Sequence, residues 1–171
     1  MQGNFSFGGS GYLDELKSYV IAHMLRDDSK DLNYLIKEFC DNYYGISSSD
    51  KIIEFINLWE DSVNGYELWL YDDADHKMFT DDRQQIGINL LTEAKLKASN
   101  DIFYERIDKL SLSMDYLKIV RLNLDDPNRE SLINKFENKI KKYGITELFE
   151  RTDLQYSFDV IRKSQYCKDR N

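Results

Sequence analysis

The sequence predicts an all-α fold, an antiparallel helical bundle of about six or seven helices in a single domain. Three observations carry that expectation. One proline stands in 171 residues, so few segments are barred from continuing a helix. Several of the eight glycines stand at the ends of apolar-periodic stretches, where helices stop. Apolar residues recur at steps of three and four along most of the chain, which stacks them on one helical face.

The elements follow in order. Residues 1–11 form a glycine-rich lead-in loop with two phenylalanines. The first helix is expected over 12–25, with Leu13, Leu16, Val20 and Met24 inward and Asp14 and Glu15 in the first turn, where the helix dipole favours acids. The second runs over 31–44 on Leu32, Leu35, Ile36, Phe39, Cys40 and Tyr43, and Gly45 stands as its terminal left-handed residue. Ser47-Ser48-Ser49-Asp50 has the serine-x-x-acid pattern of a capping box and opens a third helix over 48–64. Its stripe is Ile52, Ile53, Phe55, Ile56, Trp59 and Val63, and Gly65 closes it.

Residues 66–79 have no firm assignment. Tyr66, Leu68 and Leu70 alternate with Glu67, Trp69 and Tyr71, ahead of an acidic loop ending at His76. Thr80 caps a fourth helix over 81–99, with Ile86, Leu90, Leu91, Ala94 and Ala98 inward. Asn100-Asp101 breaks it, and a fifth helix over 102–122 returns as an antiparallel hairpin through Phe103, Ile107, Leu110, Met114, Leu117 and Val120. Asp126-Pro127 starts the sixth, which carries Leu132, Ile133, Phe136, Ile140 and Tyr143 and ends at Gly144. Thr152 to Gln155 reads as a second capping box for a last helix through Phe158 and Ile161, and residues 163–171 are a polar tail.

Composition narrows the function classes. A net charge of −8 repels phosphate backbones and anionic membranes, which argues against nucleic-acid and membrane partners. The N-terminus lacks the basic and apolar regions of a signal peptide, so the chain is expected to be cytoplasmic as it stands or cut from a longer, exportable parent. Cys40, on an apolar stripe, reads as a small buried hydrophobe, and Cys167 as an exposed thiol in the tail.

No catalytic pattern emerges, and no catalytic residue, metal site or cofactor is assigned. His23 falls near a buried stripe and reads as structural. Asp72, Asp73, Asp75 and His76 resemble a cation-binding run. They lack the glycine and the final glutamate of a calcium loop, and no second histidine stands at zinc spacing. A solvated acidic loop is the plainer reading, and a metal-dependent enzyme is a distant third hypothesis. Glu38, Glu54 and Glu93 read as solvated faces paired with lysines. Tyr66, Trp69, Tyr71 and His76 are the candidate ligand- or partner-binding residues, because aromatic rings stack on sugar faces and anchor interfaces. The alternative is that this segment folds back and covers the end of the bundle.

The run Leu13-Asp14-Glu15-Leu16, Tyr19-Val20, Met24-Leu25, Asp31-Leu32 and Glu38-Phe39-Cys40-Asp41-Asn42-Tyr43-Tyr44-Gly45 resembles a large group of bacterial glycoside-hydrolase-like proteins. It is similar to their helical portion, a domain of unknown function often found with an α-glucuronidase-type N-terminal domain. Leu90 to Ala94, Arg106-Ile107-Asp108 and Asp115-Tyr116-Leu117 resemble the next two helices of that region. The resemblance covers about residues 3–120, and Tyr43-Tyr44-Gly45 is its sharpest element. It implies a non-catalytic accessory domain that packs on a barrel domain or a second subunit, with carbohydrate as a candidate ligand. The family's acid near the glycine loop has no counterpart in Phe5-Ser6-Phe7-Gly8-Gly9, so the resemblance transfers no catalytic residue. The alternative, drawn from charge and aromatic content, is an acidic interaction protein of the immunity or antitoxin kind with a basic protein partner.

Overall fold

A computed structural model describes residues 13–64, 77–149 and 152–163. Among these residues the chain is all-α, without a strand, and its helices pack as a bundle. Helix α1 spans Asp14–Arg26, α2 Leu32–Cys40, α3 Ile46–Val63, α4 Asp81–Lys97, α5 Asp101–Leu110, α6 Leu112–Arg121, α7 Arg129–Lys142 and α8 Leu154–Lys163. Side-chain pairings give the directions. Arg121 meets Asp81 at 3.5 Å and Lys95 meets Asp108 at 3.2 Å, so α5 and α6 run back along α4 as the expected hairpin. Rings of Tyr116 and Phe136, and of Phe136 and Phe158, carry the packing on through α7 to α8. Ile52, Phe55, Leu91, Ile107, Ile119, Ile133, Phe136 and Ile140 are fully buried in one continuous apolar cluster. No described helix is long and apolar enough to cross a membrane.

Several helix ends stand where the sequence places them. Thr80 accepts from the Arg83 N–H at 3.2 Å, Asn100 from Phe103 at 2.9 Å, and Asp31 from Tyr34 at 2.8 Å, each supplying an oxygen to an otherwise orphaned donor. Gly144 adopts φ +64°. Beyond it the Ile145 N–H bonds the Ile140 carbonyl while Gly144 bonds Lys141, each at 3.1 Å, with Ile140 and Ile145 both buried. Nothing lies within 4 Å of a Cβ added at Gly144, so Gly144→Ala meets only the left-handed backbone penalty. A loss of about 1 kcal/mol in denaturant unfolding is expected.

Elsewhere the structure corrects the sequence. The second helix does not run to Tyr44 and stop. Its α-form ends at Cys40, Asp41–Gly45 winds as a π-turn, and α3 follows at once from Ile46. Gly45 has a positive φ of +89° but an extended ψ of 141°, so it redirects the chain without the left-handed helical cap expected. Ser47 is therefore already inside α3 and opens no capping box. Its hydroxyl donates to the Lys97 carbonyl at 2.7 Å, and that of Ser48 to Ala94 at 2.9 Å, tying the start of α3 to the end of α4.

The expected fifth helix is two. Ser111 turns its hydroxyl back to the Asp108 carbonyl at 2.7 Å, and the helical run is broken there between α5 and α6. Helix α7 begins two residues after Pro127, because the Asp126 carboxylate first holds the Asn128 N–H in a turn at 2.8 Å. At α8 the oxygen that reaches the helix N–H of Tyr156, at 2.7 Å, belongs to Asp153, and Thr152 bonds the Phe149 carbonyl instead.

Two faces also differ. On α4 the buried side is Gln84, Gly87, Leu91 and Ala94, and Ile86 is exposed. A Cβ on Gly87 would stand 3.1 Å from Met114 Sδ and 3.2 Å from Phe55, so its missing side chain lets α3 and α6 approach. On α1 only Leu16 is buried within the helix, and Met24 joins Ile21 and Leu25, at 58% and 84% exposure, on an open apolar side.

Candidate functional site

The four residues singled out by sequence, Tyr66, Trp69, Tyr71 and His76, lie outside the described residues, as do Gly65, the acidic run before His76, and Cys167. The chain on either side of that segment is anchored. Trp59 near the end of α3 is buried, its ring 5.5 Å from that of Phe79, and Met78 is buried beside Phe79 in sequence. Among the described residues no group of three histidine, cysteine or carboxylate side chains has a metal-binding arrangement.

Three arrangements of functional side chains can be built from the residues upward. The first is the Tyr43-Tyr44-Gly45 turn. The extra residue of a π-turn widens the helix and swings Tyr44 into the core while Tyr43 stays half-buried. Tyr43 stacks on Phe39 with ring centres 4.9 Å apart. The Arg106 guanidinium lies 4.1 Å over the Tyr43 ring, and its Nη1 donates to the Tyr43 carbonyl at 2.9 Å. Lys109 reaches Glu15 at 3.1 Å, so α1 is tied to α5 beside this turn.

The second is the Asp108 network. This buried carboxylate accepts from the Tyr143 hydroxyl at 2.7 Å and from Lys95 and Lys139 at 3.2 Å each; Lys139 also meets Asp115 at 2.9 Å. Burial pushes the Asp108 carboxyl up, but the Tyr143 hydroxyl and the two ammonium groups outweigh it and hold it below the usual 3.8. Desolvation works against charge on Lys139 too, and Asp115 and Asp108 outweigh it. Both members are thus fixed in their charged forms, which suits a structural clasp and not proton exchange near neutrality.

The third is a cleft of about 200 Å³ between the start of α4 and the end of α6, lined by Asp81, Gln84, Gln85, Ile88, Lys118, Arg121 and Leu122. Gln84 is buried, and its Nε2 has no hydrogen-bond partner among the described residues. Such a donor costs the fold about 1–3 kcal/mol.

The remaining reactive groups are quiet. Burial pushes the Cys40 thiol up to about 12, so it is no nucleophile at neutral pH. His23 is half-buried, with its ring 4.3 Å from Tyr19 and Nδ1 3.2 Å from Lys30. Glu54 and Glu93 both meet Lys51, at 2.9 and 3.3 Å, as solvated pairs. Glu38 differs from expectation and accepts the Tyr19 and Tyr34 hydroxyls, and the hydrogen bond to it, with burial and its charge, pushes the Tyr19 phenol up to about 12. Sequence reasoning missed Gln84, because a glutamine in an acidic, polar stretch carries no signal of burial. Comparison with protein-family models, curated proteins and solved structures finds no match.

Proposed function

We propose that this chain is a non-catalytic helical accessory module of a carbohydrate-active protein, packing on a barrel domain or subunit. The observation that carries the reading is the use made of the motif residues. Tyr43 stacks on Phe39, Tyr44 meets both rings edge-on, Gly45 abuts Phe103, and Arg106 clamps Tyr43. The run that resembles such modules thus serves as a packing joint between the first and second halves of the bundle. The open apolar side of α1, with Ile21 and Leu25, offers a contact surface of the kind a neighbouring domain covers.

Purified alone, the chain is expected to unfold cooperatively and to leave a broad panel of aryl glycosides unhydrolysed. Mixed with a strand–helix barrel encoded in the same reading frame or beside it, it should elute as one complex. Ile21→Glu with Leu25→Glu, both at exposed positions, should weaken that complex by at least about tenfold. Robust hydrolysis by the isolated chain, or a complex indifferent to the double variant, overturns the reading.

A second reading, an acidic protein that binds a basic protein partner, is favoured by the end of α3. Its last turn holds Glu60 and Asp61 and no cation, where the helix dipole disfavours acids. Such a partner would bind with strong salt dependence, and isothermal titration at low and high salt distinguishes it from an apolar docking contact.

A further inference from the structure

We propose that the cleft between α4 and α6 binds a small hydroxylated carboxylate. The proposal is independent of the module reading. The chain carries a net charge of −8, yet in the cleft walls the Arg121–Asp81 ion pair balances itself and leaves Lys118 as an additional cation. The Lys118 side chain is exposed and takes part in no ion pair among the described residues. An anion entering here meets a local field opposite in sign to that of the whole molecule.

The second observation is Gln84. Its Nε2 is a buried donor without an acceptor among the described residues, on a side chain that lines the cleft. The terminal amide torsion of glutamine is soft, so the group turns toward the cleft without moving α4. One ligand carboxylate then accepts from Gln84 Nε2 and Lys118 Nζ together, which satisfies the donor that the fold leaves bare.

The rest of the lining selects hydroxyl groups on a carbon skeleton. Gln85 gives its Nε2 to Asn89 at 2.9 Å, which leaves its Oε1 as an acceptor for a ligand hydroxyl. Ile88 and Leu122 supply apolar contact for C–H groups. The volume is below the roughly 300 Å³ at which drug-sized sites begin, so a metabolite-sized ligand fits.

Titration of the full chain with D-gluconate, followed by amide NMR, tests this, with sorbitol and inorganic phosphate as comparison probes. Gluconate should saturate, shifting the Gln84 side-chain amide and the Lys118 backbone signal. Sorbitol, which lacks the carboxylate, should shift neither. Lys118→Glu, at an exposed position, should weaken gluconate binding by at least about tenfold, and Gln84→Leu, which keeps the size and removes the donor, should weaken it several-fold while the chain stays folded by circular dichroism. Absence of saturation, equal binding of sorbitol, equal binding of phosphate, or gluconate affinity unchanged in either variant overturns the proposal.

Discussion

Gly45→Ala is expected to lower the unfolding free energy by about 3 kcal/mol, the sum of a backbone penalty and a steric one. The backbone at Gly45, with φ +89° and ψ 141°, lies where a side-chain-bearing residue costs about 1–3 kcal/mol. An added Cβ would also stand 2.6 Å from Phe103 Cδ2 and 2.8 Å from Cε2, closer than real Cβ contacts come. The helix that carries Phe103 is held in place, because Asn100 caps it and Arg106 ties it to the same turn, so the ring itself must turn aside. Urea unfolding should therefore show a lower midpoint with an unchanged slope. Adding Phe103→Leu to Gly45→Ala relieves the clash but not the backbone strain, so the double variant should be less destabilised than the sum of the singles by about 1 kcal/mol. A Gly45→Ala variant within about 0.5 kcal/mol of the parent would mean that the turn does not have this shape.

That turn also marks where sequence reasoning stops. Helices are legible because apolar spacing of three and four is a property of each segment alone, and caps are legible at Thr80 and Asn100 because a polar oxygen at the right place serves its own first turn. Gly144 ends its helix as expected for the same local reason. The π-turn at Asp41–Gly45 depends instead on Arg106 and Phe103, contributed by a helix far along the chain. Ser47 matches a capping pattern yet serves a different helix, and only tertiary contact with Lys97 decides that. On α4 an apolar search selects Ile86 and passes over Gly87, whose value is the space it leaves for Met114, Phe55 and Trp59. The cleft joins residues of α4 to residues near the end of α6, so no contiguous motif announces it. The aromatic residues that sequence did favour, Tyr66, Trp69 and Tyr71, fall outside the described residues.

The largest pH-linked effect is expected at Asp108. Asp108→Asn keeps the shape but leaves Lys95 facing a neutral amide, and removing one member of a buried charged set costs about 3 kcal/mol. The loss stays at the low end because Lys139 retains Asp115 at 2.9 Å. The sign of the pH dependence follows from the direction of the shift. The folded carboxyl titrates below its usual 3.8, so its contribution is complete above that pH and is lost as the pH falls through the lower folded value. The parent should therefore shed stability faster than Asp108→Asn on acidification, and their unfolding free energies should converge in strong acid. Tyr143→Phe removes the 2.7 Å hydroxyl donor, the strongest factor holding that carboxyl down. It should cost about 1.5–3 kcal/mol at neutral pH and move the acid transition to higher pH. Parent and Asp108→Asn curves that run parallel from neutrality into acid would show that the carboxylate is solvated, and that α4, α5 and α7 hold together without it.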